Sequence, residues 1–154
     1  MRIGVISDTH GLLRPEAEAR LAGVHHILHA GDIGAPDIVP RLSAIAPVTA
    51  VRGNVDIEDW ACAFPARAVA RLGGFAILVL HDAGDLSEDP AALGLDAVVA
   101  GHSHRPSVET RGGVLRLNPG SAGRRRFRLP VTLATLDLTP DGIEARLHDL
   151  LPPG

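Results

Sequence analysis

The chain has 154 residues, a formal net charge of −3 and a mean hydropathy of +0.16. That length suits a single domain over residues 1–154, and no apolar run approaches the ~20 residues of a membrane span, so a cytoplasmic protein with no membrane partner is expected. The acidic balance argues against general nucleic-acid binding, and the one cysteine, Cys62, excludes a disulfide framework or a multi-thiolate metal site and is expected as a small buried hydrophobe.

Short apolar runs at residues 3–7, 26–30, 48–51, 75–80 and 97–100 are each followed within two residues by Gly, Asp, Asn or His and read as strands. Between the first three lie two helical segments. Residues 15–21 have Pro15 at the first turn with Glu16 and Glu18 close behind, and residues 36–45 contain Pro40, which blurs their start. Strand, helix, strand, helix, strand implies right-handed parallel crossovers. After Arg105-Pro106 the character changes to hairpin-like pieces around Gly112-Gly113, then residues 114–118, 131–138 and 143–148 without intervening helices. This second half predicts a second sheet with antiparallel pairs packed on the first.

Behind the apolar runs stand Asp8-x-His10, Gly31-Asp32, Gly53-Asn54, His81 and Gly101-His102-Ser103-His104. In open α/β sheets ligands bind beyond the carboxyl ends of the strands, and all five groups fall there. Singly they read as turns or strand-end histidines. Together they supply seven oxygen and nitrogen donors without a thiolate, which suits divalent Mn²⁺, Ni²⁺, Fe²⁺ or Zn²⁺ in an open site and not a closed structural zinc. His25, His26 and His29 precede Asp32 and are assigned to structure or to support of the ligands. Asn118-Pro119-Gly120-Ser121 has the chemistry of a type II turn. Arg124, Arg125, Arg126 and Arg128 crowd five residues, as a solvated loop or as an anion-steering patch; the second reading makes Arg124, Arg125 and Arg126 candidate substrate contacts.

The motifs SDTHG, HAGDI, RGNVD, GHSHRP and NPGS span Asp8 to Ser121 and resemble those of the calcineurin-like metallophosphoesterases, most closely the small YfcE-like phosphodiesterases. The resemblance implies a four-layer α/β/β/α sandwich of two mixed sheets. It implies one metal on Asp8, His10, Asp32 and His104 and another on Asp32, Asn54, His81 and His102, with Asp32 bridging. The expected cofactor is a pair of divalent ions, Mn²⁺ foremost. The expected activity is hydrolysis of a small phosphodiester by a hydroxide shared between them, with Asn54 orienting the substrate. Two positions depart from relatives: Val55 stands where many have a histidine thought to protonate the leaving group, and Asp82 replaces the usual glycine after His81. The alternative is a non-catalytic scaffold on the same fold, since fold alone does not fix function.

Overall fold

A computed structural model describes residues 1–152; the expected domain limit at residue 154 lies outside the described residues. Ten strands are formed: β1 (Arg2–Ile6), β2 (His26–His29), β3 (Val48–Ala50), β4 (Arg67–Leu72), β5 (Phe75–Leu80), β6 (Ala97–Val99), β7 (Ser107–Arg111), β8 (Val114–Asn118), β9 (Thr132–Thr139) and β10 (Gly142–Asp149). They make two five-stranded mixed sheets, ordered β10-β9-β1-β2-β3 and β4-β5-β6-β8-β7. Within the first, β1, β2 and β3 are parallel while β9 runs antiparallel to β1; within the second, β5, β6 and β8 are parallel.

The helices are short and explained by their ends. In α1 (Pro15–Leu21) proline occupies the first position, Glu16 and Glu18 lie at the positive end of the helix dipole and Arg20 at the negative end. Ala17 and Leu21 are its buried face. The second helix, α2 (Ile38–Ser43), is shorter than the expected 36–45; Asp37 stands at its N-terminal boundary without a side-chain capping bond. Pro40 is its third residue, where the missing N–H would have had no partner within the helix.

Strand alternation divides the apolar residues between faces. Ile3, Val5, Leu28, Ile77, Val79, Ala97, Val99, Ala134 and Leu136 meet between the sheets. Ile6, Ile27 and Leu133 face outward from the first sheet onto Leu21, Ile38 and Leu42 of the helices. The outer face of the second sheet, with Ala76, Leu78, Leu80, Val98 and Ala100, packs against Leu86 and Leu95 of the β5–β6 connection, which carries a 3-10 turn at Ala83–Asp85 where the first sheet has α-helices. The fourth layer is therefore thin.

Two expectations need correction. The second sheet does not arise from the second half alone: it begins at β4, takes β5 and β6, and gives β9 and β10 back to the first sheet. Strand β4 escaped notice because its inward positions include Ala68 and Ala70 between arginines, a weak apolar signal. Cys62 is exposed on a 3-10 turn at Asp59–Ala63, not buried. No helix among the described residues is long and apolar enough to cross a membrane.

Leu136 is fully buried between the sheets, whereas Leu147 on the edge strand β10 is 37% exposed. Leu136→Ala should lower the unfolding free energy by about 2–5 kcal/mol and Leu147→Ala by under about 1 kcal/mol. Equilibrium urea unfolding of both variants measures the difference.

Candidate metal centre

All seven expected donors follow the carboxyl ends of β1, β2, β3, β5 and β6, so parallel strands of both sheets deliver them to one rim. Six converge as two groups, Asp8 with His10 and His104, and Asp32 with His81 and His102; the ligand atoms of each group lie within 4.8 Å of one another. Asn54, exposed, lines a cavity of about 280 Å³ beside the second group, together with Arg52, Arg67, His81, Asp82 and His102.

Asp8 is fully buried. Its Oδ2 accepts from the Ser7 hydroxyl at 2.7 Å and the His102 backbone N–H at 3.1 Å. Its Oδ1 has no hydrogen-bond donor and faces Nε2 of His104 at 3.3 Å, of His10 at 3.8 Å and of His81 at 3.9 Å. Asp32 accepts the Val55 N–H on Oδ1 and turns Oδ2 to His81 at 3.2 Å and His10 at 3.5 Å, so one oxygen looks into both groups. Nε2 of His10 and Nδ1 of His104 are likewise buried without a hydrogen-bond partner. A dication is what a convergent set of unpartnered lone pairs can hold.

His81 is oriented by a second bond. Its Nδ1 lies 2.8 Å from the Ala30 carbonyl, which only accepts, so Nδ1 carries the proton and Nε2 presents a lone pair to the site. The 3.3 Å between His81 Nε2 and His102 Nδ1 is the spacing of neighbouring ligands at roughly 2.1 Å from one ion.

Burial alone would raise the Asp8 carboxyl, but His10 and Ser7, with the charges of His81 and His104, outweigh it and hold the group below its ordinary value. Asp32 follows the same pattern: burial is overcome by His81, the Val55 N–H and His10, and its carboxyl is also lowered. Burial would lower His81, yet Asp32, the Ala30 carbonyl and Asp8 raise it. His104 is lowered, first by burial, with Arg126 and His10 adding to the effect against Asp8 and Asp32.

The backbone bends sharply to make this geometry. Asp8, His10, Asp32, His102 and His104 all have φ between +46° and +71°, and among the described residues the one further non-glycine residue with positive φ is Phe127. Such conformations are uncommon outside glycine and persist where surroundings over-determine them. Here the loops hold each other: Asp8 N–H donates to Gly31, His10 N–H to Asp32 and Gly11 N–H to Ile33, while Gly101 N–H donates to His81 and Ala122 N–H to Ser7. Two glycines give the room. A Cβ at Gly53 would fall on Asp32 Oδ1, and one at Gly101 on Ser7 Oγ and Asp8 Oδ2.

Several supports emerge around the ligands. His29, fully buried, accepts the Gly31 N–H on Nδ1 at 3.1 Å and meets Thr9 Oγ1 with Nε2 at 3.0 Å, and Thr9 donates to the Ile33 carbonyl. That is the supporting role expected of it, while His26 bonds Thr49 and His25 accepts the Arg2 N–H. Asn118 is a turn residue as expected: Oδ1 accepts the Gly120 N–H, and Nδ2 donates to the Gly101 carbonyl and Ser103 hydroxyl, bracing the His102 loop. Asp56 was missed. Its carboxylate accepts backbone N–H groups of Ile33, Gly34 and Gly53, tying the Asp32 loop to the Asn54 loop. The signal was present in RGNVD, an aspartate three residues after a turn glycine. Of the arginine cluster, Arg126 bears on His104 by its charge, whereas Arg125 donates to the Pro152 carbonyl and Arg124 is simply exposed.

Residues 1–141 match the calcineurin-like phosphoesterase superfamily domain. A probable metallophosphoesterase of Methanothermobacter thermautotrophicus is 36% identical over 133 residues, covering 79% of this chain and 77% of that protein. Among solved structures, a novel archaeal phosphodiesterase aligns with a TM-score of 0.73 at 21% identity over 96% of this chain and 100% of the other. The Vps29 of Entamoeba histolytica complexed with zinc also aligns at 0.73 and 21% identity, over 98% and 100% of the two chains.

Burial lowers the His29 imidazole to about 4, against the opposing charges of Asp8 and Asp56. The folded value lies below the unfolded ~6.5, so the stability from neutral His29 is fully present above pH ~6.5 and lost as pH falls towards ~4, about 3 kcal/mol in all. In chelator, the stability gap between wild type and His29→Gln should shrink by about that amount from pH 7 to pH 4. Urea unfolding across that range is the check, and a constant gap contradicts it.

Proposed function

The chain belongs to the calcineurin-like phosphoesterase superfamily, and from that premise we propose that it is a dinuclear metal-dependent phosphodiesterase acting on small phosphodiesters. The observation that carries the reading is the buried Asp8 Oδ1, unpartnered and facing three imidazoles, beside an Asp32 Oδ2 that looks into both ligand groups. Asp8, His10, Asp32 and His104 would hold one cation, and Asp32, Asn54, His81 and His102 the other. The donor set suits Mn²⁺ first, with Ni²⁺, Fe²⁺ or Zn²⁺ as alternatives. Bound there, two divalent ions would acidify an attacking water and draw charge from the phosphoryl oxygens.

The remaining work falls to the chain. Asn54, exposed on the cavity wall, would donate its amide to a non-bridging oxygen and orient the diester. Arg126 adds positive potential on the His104 side, which favours approach of anions. Asp56, His29 and Asn118 keep the loops from relaxing, so the donors need little reorganisation when charge develops. The likeness to Vps29 carries the fold alone; what supports catalysis over a scaffold role is the full donor set. One free exposed thiol, Cys62, supports a cytoplasmic setting.

Asp32→Ala should remove both metals, whereas His10→Ala should mainly weaken one; metal analysis of the purified variants gives the count directly. Two tightly held ions and normal turnover in Asp32→Ala would sink the assignment. Because the ions would join loops from five strands, chelation should lower the melting temperature of the wild type.

Val55 is 42% exposed at the site rim and offers no proton, and Asp56 is committed to three backbone donors. General acid catalysis contributes about 10²–10⁴-fold, most where the leaving group is basic. Aryl diesters with acidic phenols should therefore react far faster than alkyl diesters. A series of kcat/KM values against leaving-group pKa, at saturating metal, should show a steep negative slope; a flat one with chemistry rate-limiting argues for an acid elsewhere.

A further inference from the structure

We propose that Arg116, on the thinly covered outer face of the second sheet, forms a subsite for a second phosphate on the substrate. Strands β6, β8 and β7 bring one face of residues together: Val98 pairs with Arg116, and Arg116 with Glu109. Here lies a cavity of about 430 Å³, lined by Arg116, Arg111, Glu109, Ser103, His102 and Asp82, with Val98 and Ala100 among its walls. It reaches the candidate metal centre at His102, which also borders the cavity holding Asn54.

Arg116 is the unmatched group. Its Nε is buried without a hydrogen-bond partner, and no ion pair or hydrogen bond to its side chain occurs among the described residues. Glu109, its cross-strand neighbour, is engaged by Arg111 at 2.8 Å. Asp82 accepts the Gly84 N–H and lies 3.8 Å from His102 Nε2. Both carboxylates of the cavity are thus engaged while one half-buried guanidinium is not, and a partly desolvated cation gains most from an anion that it can grip through two N–H groups.

The position sets the spacing. Arg116 precedes Asn118 by two residues on β8, about 6.6 Å along a strand, and Asn118 is bonded to the His102 loop. An anion on Arg116 would sit several bonds from the scissile phosphate. The inference rests on the proposed phosphodiesterase reading for its catalytic consequence, but the subsite itself needs only the cavity and Arg116.

The test uses two thymidine 5′-(p-nitrophenyl phosphate) diesters, with a free 3′-hydroxyl or a 3′-phosphate, on wild type, Arg116→Met and Arg116→Lys with metal restored. Wild type should favour the 3′-phosphorylated diester, and Arg116→Met should lose about tenfold in kcat/KM on that diester alone. Arg116→Lys, which keeps the charge, should recover part of the preference and serves as the second variant should the Met form fail to fold. In parallel, calorimetric titration of the full chain in chelator with thymidine 3′,5′-bisphosphate should show binding that weakens about tenfold in Arg116→Met. If neither diester turns over while that binding depends on Arg116, the phosphodiesterase reading fails and the subsite stands. Binding independent of Arg116, or an unchanged preference in Arg116→Met, overturns the subsite.

Discussion

A carboxylate with no exposure, at the end of a central strand and with one oxygen lacking any donor, is the constraint around which this molecule is arranged. Asp8 is that group. An ionised carboxylate is tolerated inside a protein only when compensated, and here the Ser7 hydroxyl and the imidazoles of His10, His81 and His104 supply the compensation. The left-handed backbone at five of the donors adds roughly 1–2 kcal/mol of strain apiece. That strain opposes folding of the empty site, and a cation held by the same residues would offset it. Stability and metal affinity would therefore be linked at the same residues.

The strain is contained because the frame beneath is stiff. Ile3 and Val5 bury between the sheets and Ile6 under the helices, so β1 is anchored on both faces up to the residue before Ser7. Beyond that point the chain is held by polar links: Ser121 donates to the Asp8 carbonyl, Asp56 joins two loops, and the His29–Thr9–Ile33 chain spans a third. These groups are buried or nearly so and saturated with partners. Fully satisfied polar networks of this kind fix geometry more sharply than apolar packing does.

The donors were legible in the sequence because strand-end position and residue type agree: an apolar run followed by Asp, Asn or His is a local pattern, and the parallel strands carry it intact into space. The sheet partnership was not local. That β9 would return beside β1 depends on Leu136 and Ala134 matching the inner face of the first sheet, which no nearby residue announces. Asp56 was hidden for a related reason, since its partners Ile33 and Gly34 lie more than twenty residues away. The arginine cluster shows the converse error. Four adjacent charges look like one feature, but Arg125 turns to the Pro152 carbonyl while Arg126 bears on His104.

The two ligand groups are also unequal in access, and the fold explains why. Asp8 and His104 are buried, whereas the side chain of His102 is 48% exposed. The helices close the outer face of the first sheet, but the β5–β6 connection, rich in Gly, Asp and Pro over residues 82–96, carries no apolar periodicity that could build a matching α-helix. The second sheet is left open beside His102. The open side of the candidate site is therefore the one built by Asn54, Asp82 and the β7–β8 hairpin.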